Sequence, residues 1–129
     1  MSYELTPADL VWNRAAMEDG GATPASGDIA LASLLCAHGL AMNGGVLHAV
    51  ELLTPEELSA AQDGYRFYGF GEVANLLASA KILFDADDNL ERHESRLDSE
   101  YQAYVPDDSS LGQRFEERFA ANPSDFSPL

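Results

Sequence analysis

The apolar residues between Ile29 and Met42 go round the whole helical wheel and do not mark a single stripe. They are Ile29, Leu31, Leu34, Leu35, Cys36, Leu40 and Met42. A helix with this pattern is typical of one enclosed by neighbouring elements. The pattern therefore predicts a buried central helix, and we expect its core residues to be Leu31, Leu34, Leu35 and Leu40.

Asn43-Gly44-Gly45 follows this helix. Asn and Gly readily take the left-handed conformation that commonly ends a helix. We expect the central helix to stop here and a shorter helix, from Val46 to Leu53, to begin at once.

Two similar start signals stand at Thr6-Pro7-Ala8-Asp9 and Thr54-Pro55-Glu56-Glu57. Each has threonine at the N-cap, proline at the first helical position and an acid in the first turn. Thr54 and Glu57 also have the spacing of a capping box. The signals predict one helix from Pro7 to about Met17 and another from Pro55 to about Tyr68. The loop from Gly20 to Gly27 should separate the first of these from the central helix.

Helical spacing continues through the second half of the chain. Val73, Leu76, Leu77 and Ala80 predict a helix from Glu72 to Phe84, and Asp85 to Asp88 should break it. The buried positions expected on the two helices after this break are Leu90, Leu97, Tyr101 and Tyr104, and then Leu111, Phe115 and Phe119. Pro106 should end the former helix, and residues 107–109 should cap the latter, which runs until Asn122-Pro123. No run alternates with period two for long enough to need a strand, so we expect a compact all-α domain of six or seven helices over residues 1–129.

Charge narrows the class of partner. With 22 acidic and 7 basic residues the formal net charge is −15. Nucleic acid and anionic membranes both require clustered Lys and Arg, so direct binding to either is not expected, and a charged partner should be basic. The single cysteine, Cys36, allows no internal disulfide, and the N-terminus lacks the order of a signal peptide. The apolar run around it is too short and too interrupted to cross a bilayer, so we expect a cytoplasmic protein.

Acidic residues are densest between positions 85 and 108, where nine acids stand against two bases. At 100° per residue, Glu91, Glu94 and Asp98 share one helical face, and Asp87 joins them if the helix starts early. Arg92 can reach Asp88 and Arg96 can reach Glu100, which leaves that face without an intrahelical partner. The candidate partner-binding residues are Asp87, Asp88, Glu91, Glu94, Asp98, Glu100, Asp107 and Asp108. A face that is merely solvated explains the same pattern almost as well.

The sequence evidence for metal binding or catalysis is weaker than the evidence from charge. The residues from Asp85 to Asn89 begin like a calcium loop, but Leu90 stands where glycine is needed and Arg96 where the bidentate glutamate belongs. His48 and Glu51 lie one turn apart, and two ligands do not make a metal site. Cys36 and His38 point to different faces of their helix, so they cannot form a nucleophile and base pair locally. We therefore expect no catalytic residues, metal or cofactor.

Five segments, taken in order, resemble one family. They are Asn43-Gly44-Gly45, Gly64-Tyr65-Arg66-Phe67-Tyr68-Gly69, Leu97-Asp98 with Tyr101, Val105-Pro106-Asp107-Asp108, and Asn122-Pro123-Ser124-Asp125-Phe126. The family is the small bacterial domain-of-unknown-function family that includes the neisserial DNA-mimic protein. The resemblance covers residues 28–126 and leaves the first helix and loop, residues 1–27, outside it. It implies a helical, dimeric protein whose acidic surface imitates duplex DNA and occupies the DNA-binding face of a transcription factor.

The sequence thus favours a non-catalytic acidic protein-binding domain, with a DNA mimic as its most concrete form. The main alternative is an immunity or antitoxin-like neutraliser of a basic toxin, and a small enzyme with a pocket near His38, His48 and Tyr65 is the third. Residues 64–84 carry few charges and many aromatic residues, so we expect a homodimer that uses part of this region.

Overall fold

The computed structural model describes residues 4–86 and 90–129. Over these ranges the chain forms seven α-helices and one turn of 3-10 helix, and no strand. The helices are α1 (Pro7–Glu18), α2 (Ser26–Gly44), α3 (Val46–Leu52), α4 (Pro55–Phe67), α5 (Gly71–Ala86), α6 (Glu91–Tyr104) and α7 (Asp108–Ala121), and the 3-10 turn is Pro123–Asp125. The predicted all-α class is confirmed. None of the helices in the described ranges combines the length and apolar character needed to cross a membrane.

The two predicted start signals form complete capping boxes. The Thr6 hydroxyl accepts from the N–H of Asp9 at 3.1 Å, and the Asp9 carboxylate accepts in return from the N–H of Thr6 at 3.0 Å. Thr54 and Glu57 repeat the arrangement at 3.1 and 2.9 Å. Each box satisfies backbone donors that the first turn of a helix otherwise leaves unpaired.

Helix α2 is the central helix of the domain and packs against α1, α3, α4 and the 3-10 turn. Leu31 and Leu34 are each 1% exposed, as predicted. The expectation that the helix is enclosed on all sides is wrong, because Ile29 is 50% exposed and Met42 is 60% exposed. Its neighbours cover only part of its circumference, and an apolar pattern does not reveal how much of a helix will be covered.

Five other positions differ from the expected core for the same reason. Tyr104 is 44% exposed at the end of α6. The other four are only partly buried and lie at the margin of the core: Leu35, Leu40, Leu90 and Phe119. The buried residues of α6 are Leu97 and Tyr101, and those of α7 are Leu111 and Phe115. The core is thus narrower than the sequence pattern indicates.

Gly64 sets the close approach of α4 to α2. A Cβ atom at this position would lie 2.4 Å from the carbonyl oxygen of Ala30, which is backbone and cannot rotate away. Tyr65 follows and is completely buried. The absence of a side chain at Gly64 therefore lets α4 bring the Tyr65 ring into the core.

The turn between α2 and α3 is completed by a side chain from α6. Gly45 has a φ of 95°, a conformation that favours glycine. Asp98 accepts a hydrogen bond from the N–H of Val46, the first residue of α3, at 2.9 Å. A Cβ at Gly45 would lie 3.0 and 3.1 Å from the two Asp98 carboxylate oxygens, so the absence of a side chain makes room for this cap.

The C-terminal residues are held by a buried ion pair. Asp28 is fully buried and accepts from Arg14 at 2.9 Å. Its other oxygen accepts from the N–H groups of Ala25 and Ser127 at 3.0 and 2.8 Å, and Arg14 also donates to the Ser127 carbonyl at 3.0 Å. The groups that pair with the buried Asp28 carboxylate come from different segments of the chain. The ion pair therefore ties α1, α2 and the C-terminus together.

Candidate functional site

A chain of polar side chains runs from the middle of the core to the surface. The hydroxyl oxygens of Tyr65 and Tyr101 are 2.6 Å apart, and the Tyr101 oxygen lies 2.7 Å from His38 Nδ1. His38 Nε2 lies 2.7 Å from a carboxylate oxygen of Asp108. The four residues come from α4, α6, α2 and α7, and we call them the polar relay.

Burial falls along the polar relay from one end to the other. Tyr65 is completely buried, Tyr101 is 4% exposed and His38 is 6% exposed. The Asp108 side chain is 80% exposed. The polar relay thus connects a hydroxyl in the apolar core to a carboxylate in water.

Burial also fixes the protonation of the two tyrosines. It raises the pKa of Tyr101 to about 12, with the hydrogen bond from Tyr65 opposing this and the Asp108 charge adding to it. Burial, together with Tyr101, raises the pKa of Tyr65 well above its ordinary value. Both hydroxyl groups therefore keep their protons at neutral pH and remain available as donors.

The direction of each hydrogen bond follows from what the groups can donate. A carboxylate only accepts, so His38 donates its Nε2–H to Asp108. In the tautomer that carries its only ring proton on Nε2, Nδ1 accepts from Tyr101, and the Tyr101 oxygen accepts from Tyr65. In this arrangement every proton of the polar relay has an acceptor.

This geometry leaves His38 few possible chemical roles. Both ring nitrogens are engaged, one in the core and one with Asp108. Cys36 lies two residues away with its thiol exposed on another face of α2. Within the described residues, the hydroxyl that contacts a His38 nitrogen belongs to Tyr101, which is buried. The polar relay therefore suits the positioning of Asp108 better than acid and base catalysis.

A cleft of about 390 Å³ opens beside the polar relay between α1, α2 and α7. Such a volume falls within the range of roughly 300–1,000 Å³ found for small ligand pockets. Its lining includes Trp12, Ala15, Leu35 and Leu111 among the apolar residues, and Asp19, Cys36, His38 and Asp108 among the polar ones. We call it the Trp12 cleft.

The acids predicted to bind a partner divide into two groups. Glu91 and Glu94 are exposed on α6 with no hydrogen bond or ion pair in the described part of the chain. Asp98 caps α3, Glu100 pairs with Arg96 at 3.4 Å and Asp108 belongs to the polar relay. Asp98 is exposed like Glu91 and Glu94, but it differs from them because one of its carboxylate oxygens also caps the N-terminus of α3.

Asp107 is the N-cap of α7. Its carboxylate accepts from the hydroxyl of Ser109 and from the N–H of Ser110 at 3.2 Å. The hydrogen bond from Ser109 contributes most to a pKa below the ordinary value of an aspartate. Two further candidates, Asp87 and Asp88, lie outside the described residues, and so does the proposed pairing of Asp88 with Arg92.

No three His, Cys, Asp or Glu side chains converge as metal ligands within residues 4–86 and 90–129. His48 lies near the end of α2, and a Cβ on Gly44 would meet its ring at 2.5 Å. Most of the segment that begins like a calcium loop, residues 85–89, falls outside the described part of the chain.

Sequence reasoning did not find the polar relay. His38 and Tyr101 were expected to be core residues, and both are buried. A histidine inside an apolar helix does signal that a buried partner is needed. Its partners lie 63 and 70 residues away along the chain, and only the packing of α6 and α7 on α2 brings them there.

The segments that carry the family resemblance meet in these structural contacts. Gly45 touches Asp98, Gly64 allows α4 to approach α2, and Tyr101 joins Tyr65 to His38. Phe126 packs against Phe115 and Phe119, with ring centroids 5.7 and 5.2 Å away. Four of the five segments thus make contacts that hold the fold together, and the remaining one, Val105 to Asp108, includes the N-cap of α7.

The chain was compared with protein-family models, with curated proteins and with solved structures, and none of the three comparisons finds a match. Any functional assignment must therefore rest on the residues themselves.

Proposed function

We propose that this chain is a non-catalytic acidic domain that binds a basic protein. The observation that supports this most is how the few basic residues are used. Among the residues that the structure describes, five lysines and arginines form ion pairs with acids of the same chain. The pairs are Arg14 with Asp28, Arg66 with Asp63, Lys81 with Asp85, Arg96 with Glu100, and Arg118 with Asp125. Most of the 22 acids therefore keep their charge uncompensated, and the field outside the protein is negative.

Glu91 and Glu94 are the part of α6 that we assign to partner contact, since both are exposed and a helical turn separates them. Imitation of duplex DNA is the more specific form of this proposal. It would use the exposed acids Glu91 and Glu94, with Asp98 contributing the carboxylate oxygen that does not cap α3.

The double substitution Glu91→Gln and Glu94→Gln tests the assignment. A basic partner captured from the source cell should bind the parent protein less tightly as salt rises, because the attraction is screened over about 8 Å at physiological ionic strength. The variant should bind more weakly at low salt and lose most of that salt dependence. Glu116→Gln with Glu117→Gln is the matched control, since it removes the same charge from exposed positions on α7. Equal binding by the Glu91 and Glu94 variant and the parent would mean that this face of α6 is only solvated.

Competition separates the two forms of acidic binder. If the chain is a DNA mimic, any duplex that the partner binds should displace it from the partner. If it is a toxin neutraliser, it can cover a different surface, and then added duplex leaves the complex intact. The measurement is the fraction of complex that remains as duplex is titrated.

A small enzyme is the third hypothesis, and the polar relay is the observation in its favour. Catalysis would need the Trp12 cleft to admit a substrate to the Nε2 side of His38. His38→Asn should then abolish turnover of any substrate while leaving partner binding through α6 unchanged. Loss of turnover would favour the enzymatic hypothesis, and turnover unchanged by His38→Asn would contradict it.

A further inference from the structure

We infer that the Trp12 cleft receives one arginine side chain of the basic partner. This inference rests on the proposed function, because it names the chemistry that the partner must present. It deepens that function by adding a second site of partner contact, at the end of the polar relay that reaches the surface.

The walls of the cleft suit the guanidinium group and its stem. Trp12 packs against Phe115 with ring centroids 5.7 Å apart and also lines the cleft. A guanidinium stacks on an aromatic face and is more weakly hydrated than an ammonium group, so it loses less on entering a partly apolar cleft. Ala15, Ala32 and Leu35 provide apolar surface for the methylene groups of the side chain.

Asp108 offers a carboxylate whose direction is set in advance. One of its oxygens accepts from His38 Nε2 at 2.7 Å, and His38 is in turn fixed by Tyr101. The second oxygen has no partner within the described residues. A carboxylate that is already oriented by buried groups has less freedom to lose when it binds a cation.

Asp19 supplies the second carboxylate of the cleft from the end of α1. Its backbone N–H donates to the carbonyl oxygen of Arg14, whereas its carboxylate has no hydrogen-bond or ion-pair partner in the described ranges. Its backbone is left-handed, with a φ of 52°. The negative field in the cleft also acts on Cys36. Burial is the largest cause of the raised pKa of that thiol, and the charges of Glu57 and Asp19 add to it.

Two carboxylates and an aromatic wall favour arginine over lysine. A planar guanidinium has five donors and can bind two oxygen groups while it stacks, whereas an ammonium group acts as a point charge. Lysine and other small cations are therefore competing occupants that the experiment must distinguish.

The test uses three small probes with the intact protein: acetyl-arginine amide, acetyl-lysine amide and acetyl-citrulline amide. Trp12 is the only tryptophan, so its fluorescence reports on the cleft. We expect a saturable change with the arginine probe at millimolar concentration and none with citrulline, which keeps the shape and lacks the charge. Equal binding of the lysine probe would show that the assignment to arginine is wrong.

Two substitutions check the carboxylates. Asp108→Asn keeps an acceptor for His38, and Asp19→Asn keeps a residue that tolerates the left-handed conformation. Each should weaken binding of the arginine probe by about three- to tenfold, the range expected when one ordinary hydrogen bond is lost at an exposed site. Glu116→Gln is the matched control and should have no effect. Circular dichroism of each variant confirms that the fold is kept, and unchanged probe binding in both Asn variants would overturn the inference.

The same titrations distinguish failure of the cleft from failure of the proposed function. If the arginine probe does not bind but the basic partner still requires Glu91 and Glu94, only the cleft inference is wrong. If the probe binds and no basic protein does, the cleft is a site for small cations and the proposed function is wrong.

Discussion

Single residues in this protein behave according to their surroundings more than their type. Cys36 is exposed, yet its thiol lies beside apolar residues and near two acids. Tyr65 and Tyr101 are ordinary phenols with pKa values raised by burial. These environments lead to two predictions.

Cys36 should react slowly for an exposed cysteine. Burial, Glu57 and Asp19 raise the pKa of the thiol, so less thiolate is present at pH 7.5 than in a free cysteine, and the thiolate is the nucleophile. Glu57→Gln should speed alkylation by iodoacetamide, and glutamine can still complete the capping box with Thr54. Alkylation of the native protein as fast as a cysteine peptide would contradict the predicted raised pKa.

Tyr101→Phe should destabilise the fold more than Tyr65→Phe. Removing the middle hydroxyl leaves His38 Nδ1 and the Tyr65 hydroxyl buried without partners, at about 1–3 kcal/mol for each group. Removing the end hydroxyl leaves Tyr101 still donating to His38, so we expect a loss of about 0.5–1.5 kcal/mol. Urea unfolding of both variants gives the order, and the reverse order would contradict the position of the Tyr101 hydroxyl between His38 and Tyr65.

At the scale of helices, the strongest constraint is the crossing of α2 and α4. It depends on one glycine, whereas the capping boxes at Thr6 and Thr54 fix only where helices begin. A helix can shift by a turn if its cap is lost, but two helices in backbone contact cannot admit a side chain between them.

Gly64→Ala should therefore reduce the free energy of unfolding by about 1–3 kcal/mol or more, as overpacking does in a close-packed core. Gly112→Ala is the control, because Gly112 lies inside α7 with open space around it. That substitution should stabilise the protein by about 0.5–1 kcal/mol through helix propensity. A Gly64→Ala variant as stable as the parent, measured by thermal unfolding, would mean that α4 can move away from α2.

For the whole molecule, charge sets how it meets other molecules. The net charge of −15 opposes self-association and favours basic partners. The region from 64 to 84 carries two bases, Arg66 and Lys81, against one acid, Glu72. Ile82 on α5 is 69% exposed.

We predict a homodimer in which α5 takes part, and salt should affect it in the opposite way from partner binding. Raising salt screens the repulsion between two acidic copies, so dimerisation should tighten while binding of a basic protein weakens. Ile82→Gln should weaken the dimer, and Met17→Gln, at an exposed position on α1, should not. Light scattering across salt and protein concentration measures both effects, and a monomer at high micromolar concentration in high salt would refute the prediction.

The sequence by itself determined the all-α class, the starts of α1, α4 and α7 and the stop after α2. These features depend on residues within one or two turns of each other, such as Thr54 with Glu57, so local rules are enough to predict them. The sequence also determined the excess of acids, since charge is a property of composition.

Only the tertiary structure decided which residues act together. Asp98 was expected on an outward acidic face and caps α3, because the packing of α6 brings it beside Gly45. His38 likewise contacts Tyr101 through one ring nitrogen and Asp108 through the other, because the packed helices bring these residues together. A helical pattern tells which face of a helix is apolar, but the direction of a polar side chain depends on neighbours that lie 50 or more residues away. Such neighbours are fixed only when the helices pack.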